Sequence, residues 1–344
     1  MKIKLNRIAQ AVQDRLKIVF QSVFDIEQKD LFYPVPPLEI TTEIEALTLR
    51  GGKRLRPALM VAGYELFSDN ALNDNALLDS ACAMEMLQSY FLIHDDIMDN
   101  DPVRRGGPSV HASLQQKTGN RELGIHLGIL AGDLACAVCE WLLARLDCTA
   151  EKRRRVQEIF SRMHMDVIFG QSLDLIGNAA PDEIVQRKTA SYTTIGPLCC
   201  GAVLGGASET EVRHMAELAR PLGIAFQYRD DLIGVFGDST VVGKPVGSDV
   251  KNNKHTLLME NALKHLDESN ATALKHLLEK KNMSESDIAS ALALIEKSGA
   301  KGSSEAHISE LFKTVETSLE ALTFREDGGA FLLWLSRLLA FREA

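Results

Sequence analysis

Residues 94–106 place a group of carboxylates and a pair of arginines in one short stretch of chain. The charged side chains in question are Asp95, Asp96, Asp99, Arg104 and Arg105. Residues four apart share a helix face, and like charges there are destabilising unless a cation lies between them. Carboxylates without nearby Cys or a second His favour Mg²⁺ over Zn²⁺, and paired arginines suit phosphate oxygens. We predict a magnesium and phosphate site; the alternative is a solvated acidic helix end.

A second acidic pair, Asp230 and Asp231, follows another apolar helical pattern, with Gln227 one turn earlier. Alone, the pair fits an ordinary helix terminus before Gly234 and Gly237 equally well. Together with the first cluster, it predicts two acidic helix ends that clamp one ligand. The Gly-rich stretch beyond it contains Lys244, Asp249 and Lys254.

A third motif, residues 51–57, reads GGKRLRP and places three cations in a turn opened by glycines. Such a turn presents backbone N–H groups and basic side chains to an anion at a helix N-terminus. A basic run can also bind nucleic acid. The net charge of −9 and an aromatic content of 6% argue against a nucleic-acid partner. We therefore predict a local anion site.

The order of these motifs along the chain resembles that of the trans-isoprenyl diphosphate synthases, over about residues 45–260. The matching segments are GGKRLRP at 51–57, DDIMD at 95–99, RRG at 104–106, GD at 132–133, GQ at 170–171 with Asp174, KT at 188–189, and FQ at 226–227 with Asp230 and Asp231. The chain departs from the family pattern at Gly234, where a third aspartate is common, at Gln88, where many members have His, and at Asn253, where Gly is common.

This resemblance implies an enzyme that joins isopentenyl diphosphate to an allylic diphosphate, with three Mg²⁺ per active site. The implied metal ligands are Asp95, Asp99, Asp230 and Asp231. The implied catalytic residues are Asp95, Asp96, Asp99, Arg104, Lys188, Thr189, Gln227 and Lys244. The implied residues for isopentenyl diphosphate are Lys53, Arg56, Gln88, Arg105 and Lys254. Glu85 has no assigned role. No protein base is evident, and the family uses the departing diphosphate as proton acceptor.

Product length and two other functions stay open at this point. Tyr90 and Phe91 lie five and four residues before Asp95, roughly 6–7.5 Å along a helix, and could form the floor under a growing chain; core packing is the alternative. Two aromatic residues at these positions resemble the pattern of farnesyl-type enzymes, whereas Gly234 resembles the pattern of geranylgeranyl-type enzymes. We therefore expect a product of 15 or 20 carbons. A terpene cyclase would not need the cationic turn. A regulatory subunit would be expected to lose an acidic motif.

The elements that position these residues are predicted to be helices. Apolar residues recur at spacings of three and four, strand signals are scarce, and no low-complexity linker divides residues 1–344. We therefore predict one all-α domain, and the family resemblance implies a helical bundle around a deep cavity, usually in a homodimer. Residues 2–28 are predicted to form an amphipathic surface helix, and Pro34, Pro36 and Pro37 to end that region.

Membrane insertion and cysteine chemistry are both disfavoured by the sequence. No segment reaches about 18 uninterrupted apolar residues, so no stable membrane insertion is expected. The six cysteines lie mainly in apolar runs, where free Cys behaves as a small hydrophobe. Cys136 and Cys139 could form a redox or zinc motif, but no second pair completes one. A reduced, cytoplasmic protein is the expectation. His94 is interpreted as a packing or supporting residue.

Overall fold

Helices account for nearly all the regular structure, which confirms the predicted all-α class. The computed structural model describes residues 1–29, 39–177, 179–237, 250, 256–280, 282–322 and 325–342. The helices before the loop at residue 145 are α1 (Lys2–Lys29), α2 (Glu39–Leu49), α3 (Leu55–Glu65), α4 (Asn75–Met98), α5 (Val110–Thr118) and α6 (Arg121–Ala144). A short ribbon between α4 and α5 pairs β1 (Val103–Arg104) antiparallel with β2 (Gly107–Pro108).

The later part of the chain is also helical. Its elements are α7 (Ala150–Ile176), α8 (Pro181–Ile184), a π-helix (Val185–Ile195), α9 (Gly196–Gly205), α10 (Glu209–Phe236), α11 (Leu257–His265), α12 (Glu268–Leu278), α13 (Glu285–Lys297), α14 (Ala300–Ala321) and α15 (Glu326–Phe341). Pro34, Pro36 and Pro37 lie outside the described residues.

The chain divides into two compact units. The first comprises residues 1–160, 197–212 and 325–328. Within it the predicted amphipathic helix α1 buries Ile8, Val12 and Leu16 completely and packs against α2, α3 and α4. Each such side chain contributes about 1.5–3 kcal/mol by leaving water.

The second unit comprises residues 161–196, 213–324 and 329–344. Its core joins apolar side chains of α10, among them Tyr228, Leu232 and Val235, to those of α11 and α14. That the chain is a single domain stays a prediction.

Local sequence explains where α4 and α6 begin. The Asp74 side chain accepts a hydrogen bond from Leu77 N, and Asn120 accepts one from Leu123 N, so each helix has a polar N-cap. These two helices pack against each other. Their contact fixes the C-terminal end of α4, where the first acidic cluster lies.

Among the described helices, α6 alone is long and apolar enough to span a membrane by length and composition. It packs against α4 and α5, and Ala131, Ala135 and Leu143 are fully buried. A buried core helix meets the same criteria, so this helix is weak grounds for a membrane span.

The six cysteines are free thiols. Four of them, including Cys139 and the adjacent pair Cys199 and Cys200, are buried, and burial raises the pKa of each of these thiols. A thiol that resists deprotonation is a poor nucleophile and a poor metal ligand. The packing interpretation of Cys139 therefore holds over a redox or zinc motif.

Candidate active site

The first acidic cluster lies on the last turn of α4, at the boundary between core and solvent. Asp96 is fully buried, whereas the Asp95 side chain is 25% exposed and Asp99, the C-cap residue, is exposed. Asp95 and Asp99 are four residues apart and so share one helix face. Two carboxylates facing solvent together, with a third behind them, suit a divalent cation.

Arg104 on β1 neutralises part of this charge. Its Nε donates to Asp96 Oδ1 at 2.7 Å, and its Nη2 lies 3.6 Å from Asp95 Oδ2 and 3.7 Å from Asp101 Oδ2. Burial still raises the pKa of Asp96 to about 6. The second oxygen of Asp96 is buried and has no hydrogen-bond partner among the described residues. Such an oxygen is costly unless a proton or a cation meets it, so the site fits a hard metal ion.

A preformed metal cage is not present in the described part of the chain. No group of three or more His, Cys, Asp or Glu side chains there is arranged to hold an ion. Mg²⁺ is commonly bound through one or two carboxylates, with water and substrate phosphate completing its shell. The α4 aspartates match that type of site.

The turn between β1 and β2 presents the second arginine. Arg105 and Gly106 both have positive φ, 53° and 72°, as a tight two-residue hairpin turn requires. Arg105 Nη1 donates to Leu47 O at 3.1 Å. Arg50 Nη1 donates to Arg104 O and to Pro108 O, at 3.2 and 2.9 Å, and thereby holds the ribbon.

Gly107 makes room for the Arg50 guanidinium, because a Cβ added there would lie 2.6 Å from Arg50 Cζ. Arg50 was not among the residues that the sequence analysis singled out. Its role depends on the ribbon, which no periodicity predicts.

The cationic turn leads directly into α3, which begins at Leu55. Gly51 and Gly52 have φ of 66° and 101°, so the chain needs glycine at both positions. Lys53 is exposed and Arg56 is half-buried on the first turn of the helix.

The ribbon formed by β1 and β2 lies beside the cationic turn. A Cβ added to Gly52 would be 3.8 Å from Arg105 Cζ. The structure thus places Arg105 beside the turn that carries Lys53 and Arg56. The sequence predicted all three residues for one diphosphate.

The middle cation of the turn has a different environment. Arg54 is 4% exposed and forms an ion pair with Glu85 of α4, which is 3% exposed. Gln88, predicted to contact isopentenyl diphosphate, is half-buried one turn further along α4.

Aromatic residues occupy α4 just before the acidic cluster. The rings of Tyr90 and Phe91 are 5.1 Å apart, and Tyr90 meets the His94 imidazole edge-on at 4.8 Å. His94 Nε2 lies 3.2 Å from Ile129 O on α6. A Cβ added to Gly132 would come within 3.0 Å of the His94 ring. The glycine of the GD motif therefore makes room for His94, which packs as predicted.

In the second unit, the π-helix presents Lys188 and Thr189. π-helical turns are uncommon and occur frequently at functional sites. Lys188 Nζ lies 2.6 Å from Asp174 Oδ2. Gly170 allows this segment to approach α7, because a Cβ there would lie 2.5 Å from Lys188 N. The GQ and KT motifs therefore belong to one packing contact.

A hydrogen-bond relay joins the π-helix to the second acidic pair. The Thr189 hydroxyl donates to Gln227 Oε1 at 2.8 Å, and Gln227 Nε2 donates to Asp231 Oδ1 at 2.8 Å. Asp231 is buried, at 3% exposure. Its carboxylate fixes the orientation of the Gln227 amide, which in turn fixes the hydroxyl of Thr189.

Unlike the buried Asp231, Asp230 is exposed, and it has a partner that the sequence analysis missed. Its side chain is 53% exposed and pairs with Arg342, near the end of the described chain. The Arg342 guanidinium also lies over the Phe226 ring, 4.1 Å from its centroid, and Arg342 O accepts a hydrogen bond from Arg229. Asp230 and Arg342 are 112 positions apart in the chain, so the sequence carries no local signal for this contact.

Two predicted site residues, Lys244 and Lys254, lie outside the described residues, as do Asp249 and Asn253.

Residues 38–295 match the family model for polyprenyl synthetases. The chain belongs to this family. It is 35% identical over 260 residues to a short chain isoprenyl diphosphate synthase of Methanocaldococcus jannaschii, covering 73% of this chain and 75% of that protein. It is 35% identical over 219 residues to a farnesyl diphosphate synthase of Geobacillus stearothermophilus, covering 60% and 69% of the two chains.

Among solved structures, this family member is similar to a geranylgeranyl pyrophosphate synthase from Corynebacterium glutamicum complexed with isoprenyl diphosphate and magnesium. The TM-score is 0.90 at 31% identity, and the alignment covers 98% of this chain and 99% of that one. The predicted family, fold and enzyme class, a trans-isoprenyl diphosphate synthase, are confirmed.

Proposed function

We propose that this family member is a Mg²⁺-dependent prenyltransferase that condenses isopentenyl diphosphate head-to-tail with an allylic diphosphate. The products are diphosphate and an all-trans prenyl diphosphate of 15 or 20 carbons. One observation carries the proposal: the first unit holds an acidic cluster with Arg104 and, separately, a cationic turn joined by Arg105. Two diphosphate substrates need two such anion sites, whereas a terpene cyclase needs one.

The metal sites are assigned to Asp95 and Asp99 in the first unit and to Asp230 in the second, with Asp96 and Asp231 in support. Two features support a hard cation: the buried Asp96 oxygen that has no hydrogen-bond partner among the described residues, and a donor set made only of oxygens. When bound, Mg²⁺ acts as a Lewis acid that polarises the allylic diphosphate leaving group. Three ions per active site remain part of the proposal.

Protein side chains would stabilise both charges that form as the allylic C–O bond breaks. Arg104 and Lys188 donate to the departing diphosphate, together with Lys244. The Thr189 hydroxyl donates its hydrogen bond to Gln227, so the oxygen lone pairs are the part of the hydroxyl left to face an allylic cation. Asp231 keeps Gln227 in the orientation that makes this possible.

Isopentenyl diphosphate is assigned to Lys53, Arg56, Gln88 and Arg105, with Lys254. Holding the diphosphate end places the double bond against the cation, and this proximity is the main contribution of these residues. An apolar pocket excludes water from the cation. The departing diphosphate accepts the proton that is lost as the new double bond forms.

Tyr90 and Phe91 are assigned to the floor of the product pocket. Both rings are partly buried on α4 before the acidic cluster, and the edge-on contact with His94 restrains Tyr90. Bulky, restrained rings would stop elongation at a short product.

A cytoplasmic homodimer is the proposed state of the enzyme. α6 exposes Leu123, Ile129 and Leu130, the last at 54%. A partner subunit would remove such apolar side chains from water.

The test is incubation of the purified protein with Mg²⁺, labelled isopentenyl diphosphate and, separately, dimethylallyl, geranyl or farnesyl diphosphate. The products are dephosphorylated and sized. Elongated prenols of 15 or 20 carbons are expected. Absence of incorporation with every starter, from folded protein, would contradict the proposal and favour a cyclase or a subunit that needs a partner.

A further inference from the structure

Glu85 is a buried carboxylate that the proposed reaction does not use. It lies in the apolar middle of α4 between Met84 and Met86, both fully buried, and is itself 3% exposed. Its partner is the guanidinium of Arg54, whose side chain is 2% exposed. A charge in such surroundings is stable only when paired and hydrogen-bonded. The pair therefore requires an explanation in terms of what it holds in place.

Arg54 contacts three helices at once. Besides the ion pair with Glu85 on α4, its Nη2 donates to Thr48 O at the end of α2 and to Gln13 Oε1 on α1, at 2.7 and 2.6 Å. The Thr48 and Ser89 hydroxyls, 2.7 Å apart, add a second polar link between α2 and α4.

The backbone of Arg54 depends on these contacts. Its φ of 49° is left-handed, a conformation that costs energy for any residue with a Cβ. The buried guanidinium holds the residue there. Lys53 directly precedes Arg54, and Arg56 follows it by two residues on the first turn of α3. The conformation of Arg54 therefore sets the direction of the chain on both sides of it.

We propose that Arg54 and Glu85 are positioning residues for the isopentenyl diphosphate site. Their buried pair anchors the cationic turn to α4 so that Lys53 and Arg56 together meet a diphosphate, while Arg54 itself does not touch substrate. The inference rests on the proposed function, since it concerns the site assigned there to isopentenyl diphosphate.

The test compares Arg54→Lys and Glu85→Gln with wild type. Arg154→Lys is the matched control, because Arg154 is exposed on α7 and pairs only with Glu151 and Glu158 among the described residues. Lys at position 54 keeps the charge but cannot reach three acceptors at once. For both test variants we expect KM for isopentenyl diphosphate to rise roughly tenfold or more. KM for the allylic substrate should stay within about twofold, and the control should match wild type.

Glu85→Gln separates positioning from direct binding. If Arg54 were a substrate ligand, removing its counter-charge would free the guanidinium and leave KM for isopentenyl diphosphate unchanged or lower. That result would overturn the proposal. An equal rise in both KM values for Arg54→Lys, in step with loss of folded protein by circular dichroism, would also overturn it, because the pair would then serve stability alone.

Binding of inorganic diphosphate, measured by calorimetry in the presence of a chelator, separates this inference from the proposed function. Should wild type fail to condense any substrates, the proposed function fails, yet this binding can still be compared. Roughly tenfold weaker binding by both variants than by Arg154→Lys would support the positioning role. Equal binding by all of the proteins would overturn it.

Discussion

Gly132→Ala tests the contact between α6 and His94, the residue that directly precedes the first acidic cluster. A Cβ at position 132 would lie closer than 3.0 Å to the imidazole, a separation that real Cβ atoms essentially never show. Because the obstructing atoms are the far end of a side chain, His94 would rotate away. It would then lose its hydrogen bond to Ile129 O and its edge-on contact with Tyr90.

The expected change in the free energy of unfolding is the sum of opposing contributions. Replacing Gly by Ala inside a helix stabilises by about 0.5–1 kcal/mol. Losing the His94 hydrogen bond costs about 1 kcal/mol, and overpacking costs a further 1–3 kcal/mol, roughly. We therefore expect a net loss of about 1–3 kcal/mol in the free energy of unfolding.

Urea unfolding of Gly132→Ala, with and without His94→Ala, measures this contact. Without the imidazole only the helix propensity remains, so Gly132→Ala should then stabilise by about 0.5–1 kcal/mol. Gly302→Ala on α14 is the control, because a Cβ there meets nothing within 4 Å, and it should stabilise with His94 in place. Equal destabilisation by Gly132→Ala in both backgrounds would refute the assigned contact.

Three other predictions address product length, pH and the hydrogen-bond relay. Tyr90→Ala combined with Phe91→Ala should lengthen the prenol products sized by chromatography; an unchanged distribution would mean that both rings only pack the core. His111 is buried, and burial lowers its pKa from 6.5. As the pH falls, the imidazole therefore binds a proton at a higher pH in the unfolded protein than in the folded protein. Stability should fall as pH drops through 6.5, and His111→Gln should flatten that dependence in thermal unfolding; an identical slope would exclude His111 as its source. Gln227→Leu breaks the link from Thr189 to Asp231 and should lower kcat roughly 10–100-fold with little change in KM, whereas an unchanged kcat would exclude the relay from catalysis.

The sequence predicted the helices well because their signals are local. The helical spacing of Ile8, Val12 and Leu16 can be read directly from the sequence, and these residues are buried on α1. Asp95 and Asp99 were placed on one face by helix geometry alone. Such predictions need no knowledge of which helices are neighbours.

The different roles of the basic residues could not be predicted in the same way. Arg54 and Arg56 are two residues apart in one motif, yet Arg54 forms a buried ion pair with Glu85, 31 residues away. Arg50 holds the ribbon at Pro108, 58 residues away. Contacts at such separations depend on the packing of whole helices, which leaves no periodicity in the sequence. Glu85 offered the one usable signal, because an acid amid apolar residues needs a partner.

The second acidic pair shows how two adjacent identical residues acquire different roles. Consecutive side chains on a helix point roughly 100° apart, so Asp231 enters the core while Asp230 faces solvent. Asp231, at 3% exposure, serves as the acceptor that orients Gln227, whereas Asp230 offers an accessible carboxylate beside Arg342. Gly234, where the family commonly has a third aspartate, supplies no carboxylate. A cation binding on this surface of α10 would therefore depend on Asp230, and the cation would compete with Arg342 for the same oxygens.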